Sequence, residues 1–278
     1  FSTCSDLLAD AGIRIAIWVF MTFVIMFNLY SIFLYMVQRS RLSTFQILVL
    51  NLSVCDIMLG FYLLIIGFGD QYYRGNFVGK DQVWQSGFPC KIASVLSLFS
   101  VLGSCFVIDI ITLSRFIVIK YPFDSKFKET SFVIKLLMLT FFLAMALVCS
   151  TFFWYFQIED NDSLSNSLCL PYDLTGTSMA LKAQTITIVI VETISLCFVT
   201  VISLLAAMEL KTSAQKINLT KSTKSSGASI KLTLVVVTNI ACWAPSSVVY
   251  VALLFGQQVG TLILAYIAVF LMPINAAI

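Results

Sequence analysis

Asp56 lies in the middle of an apolar run, Leu50-Asn51-Leu52-Ser53-Val54-Cys55-Asp56, and Arg115 lies near the end of another, Thr112-Leu113-Ser114-Arg115-Phe116. A charge buried in an apolar stretch is costly and marks a functional position by default. A lone carboxylate such as Asp56 needs a cation, a proton or several hydrogen-bond donors. Ser104 precedes Arg115 by eleven residues. That is close to three helical turns, so the two side chains face one way. Asn28, Asn239 and Asn275 add uncharged groups suited to hydrogen bonds between helices. Asp109 and Glu192 are further acids inside apolar runs, and Asp109, six residues before Arg115, falls on a different helix face. The chain contains no His, which removes the commonest general base and the commonest metal ligand. Nothing in this set performs chemistry on a substrate, so an enzyme is not expected.

The elements that must hold these residues follow from composition. Of 278 residues, 59% are hydrophobic and 11% charged, whereas soluble domains carry about 25% charged residues. A bilayer is the natural solvent, and a net charge of +3 is too small to argue for nucleic acid. Seven apolar spans are expected, at about 13–37, 45–69, 90–119, 131–156, 179–208, 230–255 and 261–278. Each is longer than a buried helix of a soluble core needs to be, and none alternates as an outer-membrane strand does. The fold class is therefore an all-α membrane protein, one seven-helix bundle over 1–278. The chain opens at Phe1 and stops inside an apolar run at Ile278, so it is expected to be a slice of a longer protein with its seventh span cut short.

Loop charge sets the orientation. The breaks after the first, third and fifth spans hold Arg39, Arg41, Lys120, Lys126, Lys128, Lys211, Lys216, Lys221 and Lys224. The opposite set holds Asp6, Asp10, Asp70, Asp81, Glu159, Asp160, Asp162 and Asp173. The basic set belongs inside, which leaves Phe1 outside. Three of the eight cysteines, Cys4, Cys90 and Cys169, then fall in oxidising space. A Cys90–Cys169 bond would pin the loop between the fourth and fifth spans over the bundle mouth, and Cys4 would seek a partner elsewhere. The five intramembrane cysteines read as small apolar packers. Asn161-Asp162-Ser163 is an outer glycosylation sequon. In the sixth span, Cys242-Trp243-Ala244-Pro245 places a helix-kinking proline two residues after a tryptophan.

These residues resemble the rhodopsin-like (class A) G-protein-coupled receptors. The resemblance rests on Asn28, on Asn51-Leu-Ser-Val-Cys-Asp56, on Cys90 and Arg115 twenty-five residues apart, on Cys169, and on Cys-Trp-Ala-Pro ending at Pro245. It covers essentially the whole chain. A narrower likeness, to the leucine-rich-repeat-containing receptors of the relaxin-receptor and glycoprotein-hormone-receptor group, rests on Gly60-Phe-Tyr-Leu-Leu-Ile-Ile-Gly, Asp70-Gln-Tyr-Tyr-Arg-Gly75, Trp84 and Leu271-Met-Pro-Ile-Asn275.

The resemblance implies a plasma-membrane receptor that carries the binding of a peptide or protein hormone to a heterotrimeric G protein. It assigns G-protein coupling to Ser114, Arg115, Pro122 and Phe123, and the activation switch to Trp243, Pro245 and Asn239. It implies an allosteric Na⁺ held by Asp56, Ser104 and Asn275, a Cys90–Cys169 disulfide, and no other cofactor. Basic inner loops favour membrane lipids of the anionic leaflet as well as acidic partner surfaces. Departures stand out: Ser114 occupies the place of the acid that normally restrains the arginine, no tyrosine occurs between Tyr172 and Tyr250, and Asn239 replaces the hormone receptors' usual Asp. Both Ser114 and Asn239 weaken the closed state, which favours ligand-free signalling, while the missing tyrosine, which would help stabilise the open state, acts in the opposite direction. Two rivals remain: a degenerate receptor that signals weakly, and a seven-helix transporter using Asp56, Asp109 and Glu192.

Overall fold

The computed structural model describes residues 6–8, 10–37, 42–121, 130–157, 168–170 and 179–216, together with 241, 243–245, 247–249, 251–252 and 266–273. Six α-helices are defined in order: α1 Ala11–Val37, α2 Thr44–Tyr73, α3 Asp81–Ser86, α4 Phe88–Lys120, α5 Thr130–Gln157 and α6 Met179–Lys216, followed by a π-helical turn at Ile267–Leu271. No strand occurs among the described residues. Five of the helices (α1, α2, α4, α5, α6) are long and apolar enough to cross a membrane. The sixth expected span is described only in fragments between 241 and 252, and the seventh only over 266–273.

The arrangement centres on α4, which packs against α2, α5 and α6, while α1 packs on α2 and the π-helical turn. Burial follows this order: 61% of the apolar window of α4 is buried inside the bundle against 17% for α1 and α5. The outward faces of α1 and α5 stay apolar, with Phe23, Phe27, Phe33, Phe141, Phe142 and Phe153 exposed. In water that pattern would fail; against lipid it is the expected solution. Backbone groups are satisfied inside each helix, and several hydroxyls turn back onto the preceding turn, as Thr112 does to the Ile108 carbonyl at 2.8 Å.

Helix ends are set by local chemistry. Ser43 and Gln46 close α2 with a reciprocal capping box: the Gln46 amide donates to Ser43 Oγ at 3.4 Å and the Ser43 amide to Gln46 Oε1 at 2.8 Å. Asp10 caps α1 by accepting from the Gly12 and Ile13 amides. Pro89 opens α4 in its first turn, where no amide is needed.

The helices depart from the expected spans where polar residues sit at the ends. The second span runs on to Tyr73 because Asp70 is not a loop residue: it is 1% exposed and paired inside. The fifth continues past 208 through the polar stretch to Lys216. The short α3 was not anticipated, and it carries the buried Trp84. The free cysteines also divide: Cys55 and Cys105 are buried packers, whereas Cys149 and Cys197 face outward.

Candidate functional site

The end of the bundle at which α4 starts is closed by covalent and polar ties. Cys90, at the start of α4, is disulfide-bonded to Cys169 with Cα atoms 5.2 Å apart. Cys169 adopts φ +54°, a left-handed conformation rare for a residue with a Cβ. The Tyr62 hydroxyl of α2 donates to the neighbouring Leu168 carbonyl at 3.0 Å. Loop and helices therefore hold one another at adjacent residues.

Beside this tie, the residues before α1 enter the same apolar cluster. Leu7 and Leu8 are fully buried with Tyr62, Phe77, Trp84, Cys90 and Cys169. The Leu8 amide donates to Asp70 Oδ1 at 3.0 Å, and Arg14 donates through Nε to Asp70 Oδ2 at 2.7 Å and through Nη2 to the Leu8 carbonyl at 2.7 Å. The Gly75 amide, in a left-handed turn (φ +73°), donates to Asp6 Oδ1 at 2.9 Å. Sequence reasoning counted Asp70 among outer-loop acids and passed over Arg14. The signal was present: Arg14 is an ionisable residue inside the first apolar span, and the rule that singled out Asp56 applies to it equally.

In the middle of the bundle, Ser104 Oγ donates to Asp56 Oδ1 at 3.0 Å, joining α4 to α2. Asp56 is 6% exposed. Carboxylate and hydroxyl oxygens are the donor types that hard cations take. Asn28 instead donates to the Val24 carbonyl of its own helix at 2.9 Å.

A second polar site lies on the other side of α4. Ser195 of α6 donates to Asp109 Oδ1 at 2.9 Å, which supplies the partner that sequence alone did not reveal. Cys105, Ile108, Glu192, Ser195, Leu196, Val199 and Trp243 line one narrow cleft there. Spacing explains the grouping: Cys105 and Asp109 are i, i+4 on α4, and Glu192 and Ser195 are i, i+3 on α6. Trp243 thus shares a cleft with Glu192 and Ser195, and Asp56 and Ser104 are not part of that lining.

Near the C-terminal end of α4, the Arg115 guanidinium lies over the Phe45 ring of α2, 5.1 Å from its centroid. Ser114 beside it is half-buried, and Pro245 is exposed in a helical stretch at 243–245. Pro122, Phe123, Asn161, Asn239 and Asn275 lie outside the described residues.

A family model for the seven-transmembrane receptors of the rhodopsin family matches residues 13–278. The chain belongs to that family. Among individual proteins, this rhodopsin-family receptor chain is 28% identical over 282 residues to the G-protein coupled receptor GRL101 of Lymnaea stagnalis, covering 100% of this chain and 25% of that protein. It is 24% identical over 283 residues to human relaxin receptor 2 (100% and 37%) and 25% identical over 282 residues to the lutropin-choriogonadotropic hormone receptor of Callithrix jacchus (99% and 40%). The chain therefore spans a quarter to two fifths of the length of these relatives. The relaxin-receptor and hormone-receptor likeness drawn from residues 60–84 and 271–275 agrees with these matches. The family is one of receptors rather than enzymes, and the match displaces the transporter reading.

Proposed function

We propose that this seven-transmembrane receptor domain, spanning 1–278, passes the binding of a peptide or protein hormone outside the cell to a heterotrimeric G protein inside. The supporting observation is the layout of α4. Its outer start is fastened by the Cys90–Cys169 disulfide, its middle is joined to α2 by Ser104 and Asp56, and its inner end carries Arg115. One helix thus connects the mouth to the inner face. The relatives named for relaxin and lutropin support a hormone ligand. If the likeness of residues 60–84 and 271–275 to leucine-rich-repeat-containing receptors extends to the whole protein, an ectodomain of such repeats captures that hormone; the domain sits in the plasma membrane with Phe1 outside.

In this reading an agonist biases a two-state bundle. Helix movement about Pro245 opens an inner cavity in which Arg115, with Ser114, Pro122 and Phe123, meets the Gα subunit. Trp243 and Asn239 report the outer event to that movement. Asp56 and Ser104, with Asn275, would supply the oxygen donors for an allosteric Na⁺, and Asn161 carries a glycan. Guanine-nucleotide exchange on a panel of Gα subunits, measured with the full-length receptor in membranes, tests the reading. Exchange that disappears in Arg115→Ala at equal surface expression is expected. No exchange on any Gα, with or without candidate hormones, would overturn it. A degenerate, weakly signalling receptor is favoured by one observation, the neutral Ser114 beside Arg115, and the same assay separates the two by amplitude.

A further inference from the structure

Ser114 leaves the guanidinium of Arg115 without the neighbouring carboxylate that would hold it, and among the described residues no carboxylate lies within ion-pair distance of Arg115. The group is nevertheless not loose. Its central carbon sits 5.1 Å from the centroid of the Phe45 ring, inside the roughly 6 Å reach over which a cation is attracted to an aromatic face. We propose that Phe45 restrains Arg115 in the closed bundle, an aromatic clasp in place of an ionic one. This rests on the receptor reading above, in which Arg115 must be released to meet Gα.

The ring is placed by structure on both sides of it. The Ser43–Gln46 capping box fixes the first turn of α2, which contains Phe45. One and two turns on, Leu48 and Leu52 lie at i+3 and i+7 on the same helix face and pack with Val107, Ile110 and Ile111 of α4. Arg115 follows Ile111 by one turn of α4, so the packing ridge that joins the two helices ends with the guanidinium over the ring. Phe45 itself is 45% exposed, which leaves the clasp accessible and weak enough to open. The same pairing recurs at the end of α4, where Lys120 Nζ lies 5.4 Å from the Phe116 centroid and 5.6 Å from that of Tyr121.

A bland alternative is that the Arg115 stem merely rests on an apolar side chain. The two differ in what they require of the ring: packing depends on its size, the clasp on the negative potential of its face. Stepwise fluorination of Phe45 in the full-length receptor, by incorporation of mono-, di- and trifluorophenylalanine, removes that potential with little change in shape. Basal nucleotide exchange should rise with each step, by about two- to fivefold at the end of the series. Phe45→Leu should match the trifluoro variant, and Phe45→Trp should lower exchange below the parent. In parallel, a double-mutant cycle of Phe45→Leu and Arg115→Gln on the thermal midpoint of the solubilised receptor should be non-additive. Exchange that stays flat along the series, while Arg115→Ala still abolishes it, would overturn the clasp, as would an additive cycle. If no variant drives exchange on any Gα, the receptor reading fails instead, and the cycle alone decides whether the two side chains are coupled.

Discussion

Arg14, in the first turn of α1, and Asp70, in the last turn of α2, form an ion pair with Nε 2.7 Å from Oδ2 and the Asp70 side chain almost wholly enclosed. The pair also holds the backbone of Leu8 at both its amide and its carbonyl. Removing Asp70 leaves Arg14 with only the longer contact to Asp6, at 3.9 Å, and losing one partner of a buried pair costs about 3 kcal/mol or more. Asp70→Leu should therefore lower the thermal midpoint of the solubilised receptor strongly. Asp70→Leu combined with Arg14→Leu should recover part of the loss. A double variant as unstable as the single one would show that the pairing itself carries little.

The Cys90–Cys169 bond should be essential for delivery to the cell surface. Cys90→Ser or Cys169→Ser is expected to cost about 2–5 kcal/mol of stability and to reduce surface labelling. Peptide mapping of native protein without reduction should recover the two cysteines in one linked peptide. Both found as free thiols would contradict the assignment. Tyr62→Phe, which removes only the hydrogen bond to Leu168, should have a much smaller effect, of about 1 kcal/mol.

Ser195 gives Asp109 a hydroxyl donor across the α4–α6 interface. Ser195→Ala should destabilise the receptor by about 0.6–2 kcal/mol, the range for polar contacts between membrane helices. Ser195→Thr keeps the hydroxyl and should behave nearly as the parent. Equal losses in both variants, read from thermal unfolding, would mean that volume rather than the hydrogen bond matters at this position.

Gly69 lies against the Trp84 indole so closely that an added Cβ would overlap the ring. Trp84 is buried and also meets Tyr73 edge-on, with centroids 5.7 Å apart. Gly69→Ala should push the indole outward and cost about 1–3 kcal/mol. Tryptophan emission should then shift to the red as Trp84 becomes wetter. An unchanged spectrum and midpoint would refute the close approach.

Ser114→Asp supplies the missing carboxylate one residue from Arg115. It should lower basal nucleotide exchange relative to surface expression, and a gain of about 1.4 kcal/mol for the closed state would do so tenfold. Asn239→Asp should act in the same direction. A parent receptor that is silent without ligand, with potency unchanged in either variant, would dismiss this account of Ser114 and Asn239.

The sequence carried much of the bundle because membrane helices announce themselves by length and composition. Asp56, Ser104, Arg115, Cys90 and Cys169 could be singled out for the same reason: each is a polar or reactive group in a place where one is unexpected, or at a spacing that helical geometry interprets. The Arg14–Asp70 pair and the Asp109–Ser195 hydrogen bond were not legible, since pairing across helices depends on which faces meet, and the polar residues of α1, α2 and α6 do not gather on one face. Phe45 was invisible for a related reason. One phenylalanine among 24 has no mark in sequence until the ring is seen under a guanidinium. The burial of Leu7 and Leu8 likewise depends on the loop above them, which periodicity does not place.

The unbroken length of α6 has a mechanical consequence. Its 38 residues extend about 57 Å at 1.5 Å per residue, against a hydrocarbon slab of about 30 Å. It contains no proline to act as a joint. Without that joint, a tilt imposed near Gln184 is carried along one continuous helix toward Lys216. Lacking that residue type, α6 is thus one stiff rod, roughly 27 Å longer than the apolar slab is thick.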